Sequence, residues 1–209
     1  MSLKSTNVVW HDGKVTPPQR AAVTGSTGCV VWLTGLSGCG KSTIAMQLEQ
    51  RLISHGRAAY VLDGDNLRHV LNGDLGFTAE DRAENIRRAG EVSKLFADAG
   101  VVVICSFISP FAADRAAVRG KLPPDKFVEV FVDAPLEVCS SRDPKGLYKK
   151  AREAQAQGRP MLMTGLDQAY ELPEHPEIHL HTDRQSVQEC VEAIEAFLGG
   201  RGIFTAGNS

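Results

Sequence analysis

The chain has 209 residues, of which 43% are hydrophobic and 23% charged, and a formal net charge of −2 at pH 7. That composition is sufficient for one domain with a sizeable core and is too apolar for a disordered chain. The near-neutral balance excludes a global basic field for nucleic acid or a membrane surface, so an anionic ligand must be met by a local cluster of Arg, Lys and backbone N–H groups.

Residues 1–28 read as a polar, irregular extension whose one apolar patch, Asn7 to His11 (NVVWH), is expected to dock on the body. From Cys29 the pattern becomes rhythmic. Cys29 to Thr34 (CVVWLT) is a continuous apolar run, as in a strand buried on both faces. A Gly-rich loop follows, then a helix to about His55. Ala58 to Leu62 is a second strand ending in Asp63. Thr78 to Asp81 resembles a capping box and opens a long helix to about Asp98. Val101 to Ser106 and Phe127 to Val132 are two more buried strands, and Ile178 to His181 is a short fifth. Ser186 starts an amphipathic helix with Val187, Cys190, Val191, Ile194 and Leu198 at helical spacing. The domain is placed at 29–199, with a flexible tail over 200–209. Alternating strands and helices predict an α/β fold: a mainly parallel sheet in three layers, helices on both faces, with ligands at the carboxyl ends of the strands.

The five cysteines, Cys29, Cys39, Cys105, Cys139 and Cys190, are dispersed. Three lie in apolar runs and read as small buried hydrophobes. With a polar N-terminus and no secretory leader, they point to a reducing, cytoplasmic setting. No apolar stretch approaches the ~20 residues a spanning helix needs, so no membrane role is expected.

Gly35-Leu36-Ser37-Gly38-Cys39-Gly40-Lys41-Ser42 matches G-x-x-x-x-G-K-[ST] between a buried strand and a helix. Glycines let successive N–H groups turn inward onto phosphate oxygens, and the following helix adds its positive end. Lys41 is assigned to the β and γ phosphates of ATP, Ser42 to Mg²⁺ and Thr43 to the α phosphate. The absence of an N-K-x-D motif weighs against a GTPase, and a single small domain weighs against a motor. A small-molecule kinase is the natural default.

Asp63-Gly64-Asp65-Asn66-Leu67-Arg68 closes the second strand. Two carboxylates beside a Mg²⁺–ATP site can divide metal organisation from proton acceptance, although the same residues also suit a plain Asx turn. Arg82 and Asn85 share one face of the first turns of the long helix, where the dipole favours an anion. The bland alternative for D-R-A-E-N-I-R-R is a solvated charged face.

The ordered set NVVWH, GLSGCGKST, DGDNLR, LGFTAEDRAENIRR, SFISPF and RDPKGLYKKAR resembles the adenylylsulfate kinase family of P-loop kinases, from about Asn7 to the C-terminal helix. The resemblance implies transfer of the γ-phosphoryl group of ATP to the 3′-hydroxyl of adenosine 5′-phosphosulfate (APS), giving 3′-phosphoadenylylsulfate (PAPS) and ADP in sulfate assimilation. It implies a homodimer, and a possible functional partnership with a separate ATP sulfurylase. Residue by residue, Asp65 corresponds to the base or orienter of the 3′-hydroxyl and Asp63 to the Mg²⁺ shell, an order that is open to reversal. Arg68, Arg82 and Asn85 correspond to phosphosulfate and sugar contacts, and planar guanidinium forks suit those oxygens. Phe77 corresponds to an aromatic stacked on the substrate adenine, against the alternative of a core Phe. Ile108 and Ser109 correspond to a segment beside the substrate. Ser109 is either a phosphorylated intermediate or a substrate contact, and in-line transfer requires no protein nucleophile.

The segment 142–165 reads as a lid whose Arg142, Lys145, Lys149, Lys150 and Arg152 could close over the phosphates, with Lys145 the foremost substrate contact. Here the chain departs from the family pattern. The interval before Thr164-Gly165 is longer, and Met163 stands where an aromatic is usual. A thioether packs against a ring less specifically than another ring does, so altered APS affinity or substrate inhibition is expected. The pair His179-x-His181 lacks an evident third ligand and reads as part of a surface strand. Competing readings are a P-loop kinase for a sugar or nucleoside, a nucleotide-binding regulator with little turnover, and one half of a sulfate-activating complex.

Overall fold

The computed structural model describes residues 7–9, 11–159 and 161–204. Five strands form one sheet: β1 (Cys29–Thr34), β2 (Ala59–Asp63), β3 (Val102–Ser106), β4 (Phe127–Asp133) and β5 (Ile178–His181). Their order is β2-β3-β1-β4-β5, and every pairing is parallel. β1 sits centrally, and its residues are fully buried. Successive side chains on a strand point to opposite faces, so β1 feeds two cores. Cys29, Val31 and Leu33 join one cluster, which includes Ile44, Leu48 and Leu52 of α2 (Lys41–Ser54) and Val191, Ile194 and Leu198 of the C-terminal helix (Val187–Gly200). Val30 and Trp32 join the other, with Ile86, Ala89 and Ala97 of the long helix (Ala79–Asp98) and Val118 of another (Ala112–Arg119). These are the three expected layers.

The five strands lie within a residue of their expected bounds. Thr78 caps the long helix by accepting from the Asp81 N–H, and Ser186 caps the last one by accepting from Glu189 N–H. All five cysteines are buried thiols, and burial pushes Cys29 and Cys105 up to about 12.

The N-terminal segment is less irregular than its sequence suggests. Pro17–Thr24 forms a helix, α1, opened by prolines at its first positions and closed by Gly25 at φ 72°. Prolines fit a first helical turn because no N–H is needed there, and a C-terminal glycine accepts the left-handed conformation. Val8 and Val9 of the NVVWH patch are 57% and 76% exposed rather than docked, and Trp10 lies outside the described residues. At the other end of the chain, Ile203 is buried and its carbonyl accepts from Thr27 N–H at 2.8 Å.

Three further helices, α3 (Gly64–His69), α6 (Leu136–Arg142) and α7 (Leu147–Ala156), complete the order. The others are α4 (Ala79–Asp98), α5 (Ala112–Arg119) and α8 (Val187–Gly200). No helix among the described residues is long and apolar enough to cross a membrane.

Candidate active site

A cavity of about 1090 Å³ opens over the carboxyl ends of β1, β2 and β3. Single-ligand pockets run from about 300 to 1,000 Å³, so this one is at the large end of that range. The P-loop forms one end; Arg68, Phe77, Arg82 and Asn85 form the other.

The loop's glycines have separate jobs. A Cβ on Gly35 would lie 2.3 Å from the Val132 carbonyl oxygen, and one on Gly38 would lie 2.7 Å from that of Cys139. Gly35, Gly38 and Gly40 have φ of 151°, 78° and 102°, beyond the comfortable range of other residues. Lys41 is buried, and its Nζ donates to the Gly35 and Leu36 carbonyls at 2.9 and 2.7 Å. Leu36, Ser37 and Cys39 complete the curl, and Thr43 lines the cavity from the first turn of α2.

Strand register builds the next group. Asp63 and Ser106 are paired at the ends of β2 and β3. Ser42 Oγ donates to Asp63 Oδ2 at 2.8 Å and lies 3.2 Å from Ser106 Oγ. The other Asp63 oxygen caps α3, accepting from Asp65 N–H at 3.0 Å. Asp63 is therefore buried and committed on both oxygens. Asp65, in the first turn of α3, is 61% exposed at its side chain and ion-paired with Lys145. Three hard oxygen donors, Ser42, Asp63 and Ser106, thus meet at the phosphate end, a donor set that suits Mg²⁺.

At the far end, two guanidiniums share one ring. Arg68 lies 4.5 Å and Arg82 5.8 Å from the Phe77 centroid. Arg68 donates to the Gly76 carbonyl at 2.8 Å; Arg82 donates to Phe77 O and to Thr164 Oγ1, both at 3.0 Å. Among the described residues, neither has a carboxylate within ion-pair distance. Burial lowers the pKa of both, and the charge of Arg68 lowers Arg82 further. Two partly desolvated, mutually repelling cations have the chemistry to hold an anion. Their neighbours on the same helix behave differently: Arg87 and Arg88 pair with Glu84 at 2.7 and 2.8 Å. The solvated-face reading of D-R-A-E-N-I-R-R holds for those two and fails for Arg82 and Asn85. Asn85 is buried and its Oδ1 accepts from Asn72 at 2.9 Å, which orients the amide. Phe77 is 61% exposed, so the core alternative is excluded.

Ile108 lines the cavity, and its carbonyl accepts from Thr34 Oγ1 at 2.8 Å. Ser109 is 2% exposed and holds φ 39°, a strained value for a non-glycine. Its Oγ accepts from Trp32 Nε1 at 3.1 Å and donates to Thr34 Oγ1 at 2.9 Å, and its carbonyl accepts from Arg115 at 2.9 Å. The hydroxyl is engaged inward on both sides.

The segment 142–165, expected to form a lid, runs from the end of α6 through the turn 143–146 and α7. Tyr148 is its anchor: fully buried, it donates to the Ser37 carbonyl of the P-loop at 2.9 Å, and burial raises its pKa. The segment's charges separate. Lys145 reaches Asp65, Arg142 donates to the Thr182 carbonyl at 2.7 Å, and Lys149 and Lys150 are exposed. Met163 is 6% exposed, packed with the core, and lines the same cavity as Phe77.

Sequence inspection passed over Tyr148, Arg115 and the Thr182–Cys190 stretch that walls the phosphate end. The last was findable, since β5 ends at His181 and ligands gather where parallel strands end. Tyr148 and Arg115 act through contacts distant in sequence and carry no local signal.

Comparison with known proteins agrees with this geometry. The family model described as "Adenylylsulphate kinase" matches residues 27–181. The chain is 55% identical over 198 residues to the adenylyl-sulfate kinase of Marinobacter nauticus, covering 95% of this chain and 98% of the relative. It is equally similar to that of Clostridium kluyveri, at 55% over 198 residues, covering 95% and 97%. Among solved structures, the Mycobacterium tuberculosis APS kinase CysC in complex with AMPPNP and APS superposes with a TM-score of 0.76 at 48% identity, covering 82% of this chain and 98% of that one. With a P-loop, a paired-Asp turn and two arginines around Phe77 lining one cavity, and likeness along nearly its whole length, the chain belongs to the adenylylsulphate kinase family.

Proposed function

We infer that this protein is an adenylyl-sulfate kinase that transfers the γ-phosphoryl group of ATP to the 3′-hydroxyl of APS, giving PAPS and ADP. The observation that carries the inference is the pairing of Arg68 and Arg82 around Phe77, in the cavity that holds the P-loop at its other end. A phosphosulfate brings the anion those guanidiniums lack, and its adenine brings a flat face for the exposed ring.

The chain's own residues then divide the work. Backbone N–H groups from Gly35 to Lys41 and the Lys41 ammonium grip the donor phosphates. Ser42 and Asp63 would hold Mg²⁺, with Ser106 beside them. When bound, that ion neutralises charge on the β and γ phosphate oxygens. The acceptor hydroxyl oxygen bonds to the γ phosphorus as the β–γ bridging bond breaks, and ADP leaves with that electron pair. Asp65 accepts the hydroxyl proton. This assignment is supported by the contrast with Asp63, whose oxygens are both occupied. Lys145 moves from Asp65 toward the phosphates as substrate enters, which frees the carboxylate. Asn85, Ile108 and Ser109 shape the acceptor end, with Ser109 acting through position alone. We further propose a homodimer.

ADP release with APS as acceptor, set against a panel of sugars and nucleosides, tests the assignment. Turnover confined to APS is expected. Equal or faster turnover with a sugar or nucleoside would overturn it.

A further inference from the structure

The carboxyl ends of β4 and β5 carry a side-chain cluster that phosphoryl transfer does not use. In the parallel ladder Phe131 pairs with His179 and Asp133 with His181. Alternate residues share a face, so both histidines and the carboxylate emerge on the same side. His179 Nε2 lies 3.0 Å and His181 Nδ1 3.6 Å from the same oxygen, Asp133 Oδ2. All three ligand atoms lie within 4.8 Å of one another.

We propose that Asp133, His179 and His181 form a binding site for a borderline-soft divalent cation of the Zn²⁺ type, distinct from the hard-oxygen site at Ser42 and Asp63. Bonds of ~2.0–2.1 Å in a tetrahedral site place ligand atoms about 3.4 Å apart, and the two measured separations fall on either side of that value. Two neutral imidazoles with one carboxylate suit Zn²⁺, Ni²⁺ or Cu²⁺, whereas Mg²⁺ prefers oxygen donors alone.

The ligands are held before any ion arrives. The His179 ring stacks on Phe131 at 4.7 Å between centroids and lies 4.2 Å from the His181 ring. Phe131 in turn stacks on Tyr170 at 6.1 Å. The cluster is half-exposed, leaving a fourth position to water. In sequence, Asp133 lies far ahead of the histidines; only strand register brings it to them. The site also adjoins the P-loop. Thr182 N–H donates to the Asp133 carbonyl at 2.9 Å, and Thr182 Oγ1 donates to the Cys39 carbonyl at 2.8 Å. An ion there ties the ends of β4 and β5 together beside the phosphate loop and raises the melting temperature.

The test uses the full chain, stripped of metal and titrated with Co²⁺ as a spectroscopic probe. Expected are visible ligand-field bands saturating at one equivalent, abolished by Zn²⁺ and unaffected by excess Mg²⁺. Buried cysteine thiols add no thiolate charge-transfer band. His179→Ala and His181→Gln should each weaken Co²⁺ binding at least tenfold, and Asp63→Asn should leave the bands in place. Metal-free melting temperatures of the histidine variants should equal that of the unaltered chain, which separates ligand loss from misfolding. If one variant is destabilised, the other decides. Absence of the bands, or bands that persist in a stably folded histidine variant, would overturn the proposal.

Discussion

The indole of Trp32 donates to the Ser109 hydroxyl at 3.1 Å, and that hydroxyl donates onward to Thr34 at 2.9 Å. A serine bonded on both sides and 2% exposed is placed to hold the strand end, not to attack phosphorus. Ser109→Ala leaves the Trp32 N–H unpaired in the core, which costs about 1–3 kcal/mol of stability. Phosphoryl transfer should survive with kcat reduced less than about tenfold, whereas loss of a covalent nucleophile costs 10³ or more, on the order seen for such groups. Denaturant melts and steady-state kinetics measure both. Inversion of configuration at a chiral γ phosphorus is the matching stereochemical expectation.

Arg68 and Arg82 should act on the acceptor alone. Loss of a charge-assisted contact is worth about 1.5–3 kcal/mol, so Arg82→Ala should lower kcat/KM for APS by about 10- to 150-fold. The KM for ATP should stay within about twofold. A rise in both KM values would mean that Arg82 supports the cavity as a whole. Arg87→Ala, on the solvated face, should alter neither value.

How legible these features were depended on the range of the interactions that create them. The strands of the sheet were plain because buried parallel strands read as unbroken apolar runs, as Cys29–Thr34 and Val102–Ser106 do. The P-loop was plain because glycine geometry and helix onset are local. Phe77 and Arg82 could be named but not weighed, since an exposed ring and a core ring have the same letter. α1 was missed although Pro17 and Gly25 mark its ends, because its polar composition masked them. Asp133 was invisible as a partner of His179 because register, not sequence spacing, joins them.

The two aspartates should separate by experiment. Asp65→Asn removes the proton acceptor, and kcat should fall about 10²–10⁴-fold with little change in Mg²⁺ demand. Asp63→Asn should raise the Mg²⁺ concentration needed for half-maximal rate. Its amide also replaces a carboxylate that caps α3, so the melting temperature should drop. Mg²⁺ titrations of kcat on both variants decide; a reversed pattern would exchange the roles.

Met163 lines the same cavity as Phe77, buried and flexible where a ring would be rigid. Met163→Phe should lower the KM for APS, or bring substrate inhibition to lower APS concentrations, by about the 0.5–1.5 kcal/mol an aromatic pair contributes. Unchanged KM and unchanged inhibition would show that residue 163 does not face the adenine.

The most direct measurement follows the label. With γ-³²P-ATP, Mg²⁺ and APS, the product should be PAPS carrying ³²P on its 3′-phosphate, formed in equal amount to ADP, with none retained on the protein. ATP binding without labelled PAPS, or label appearing only as inorganic phosphate, would contradict the assignment of the second anion site to APS.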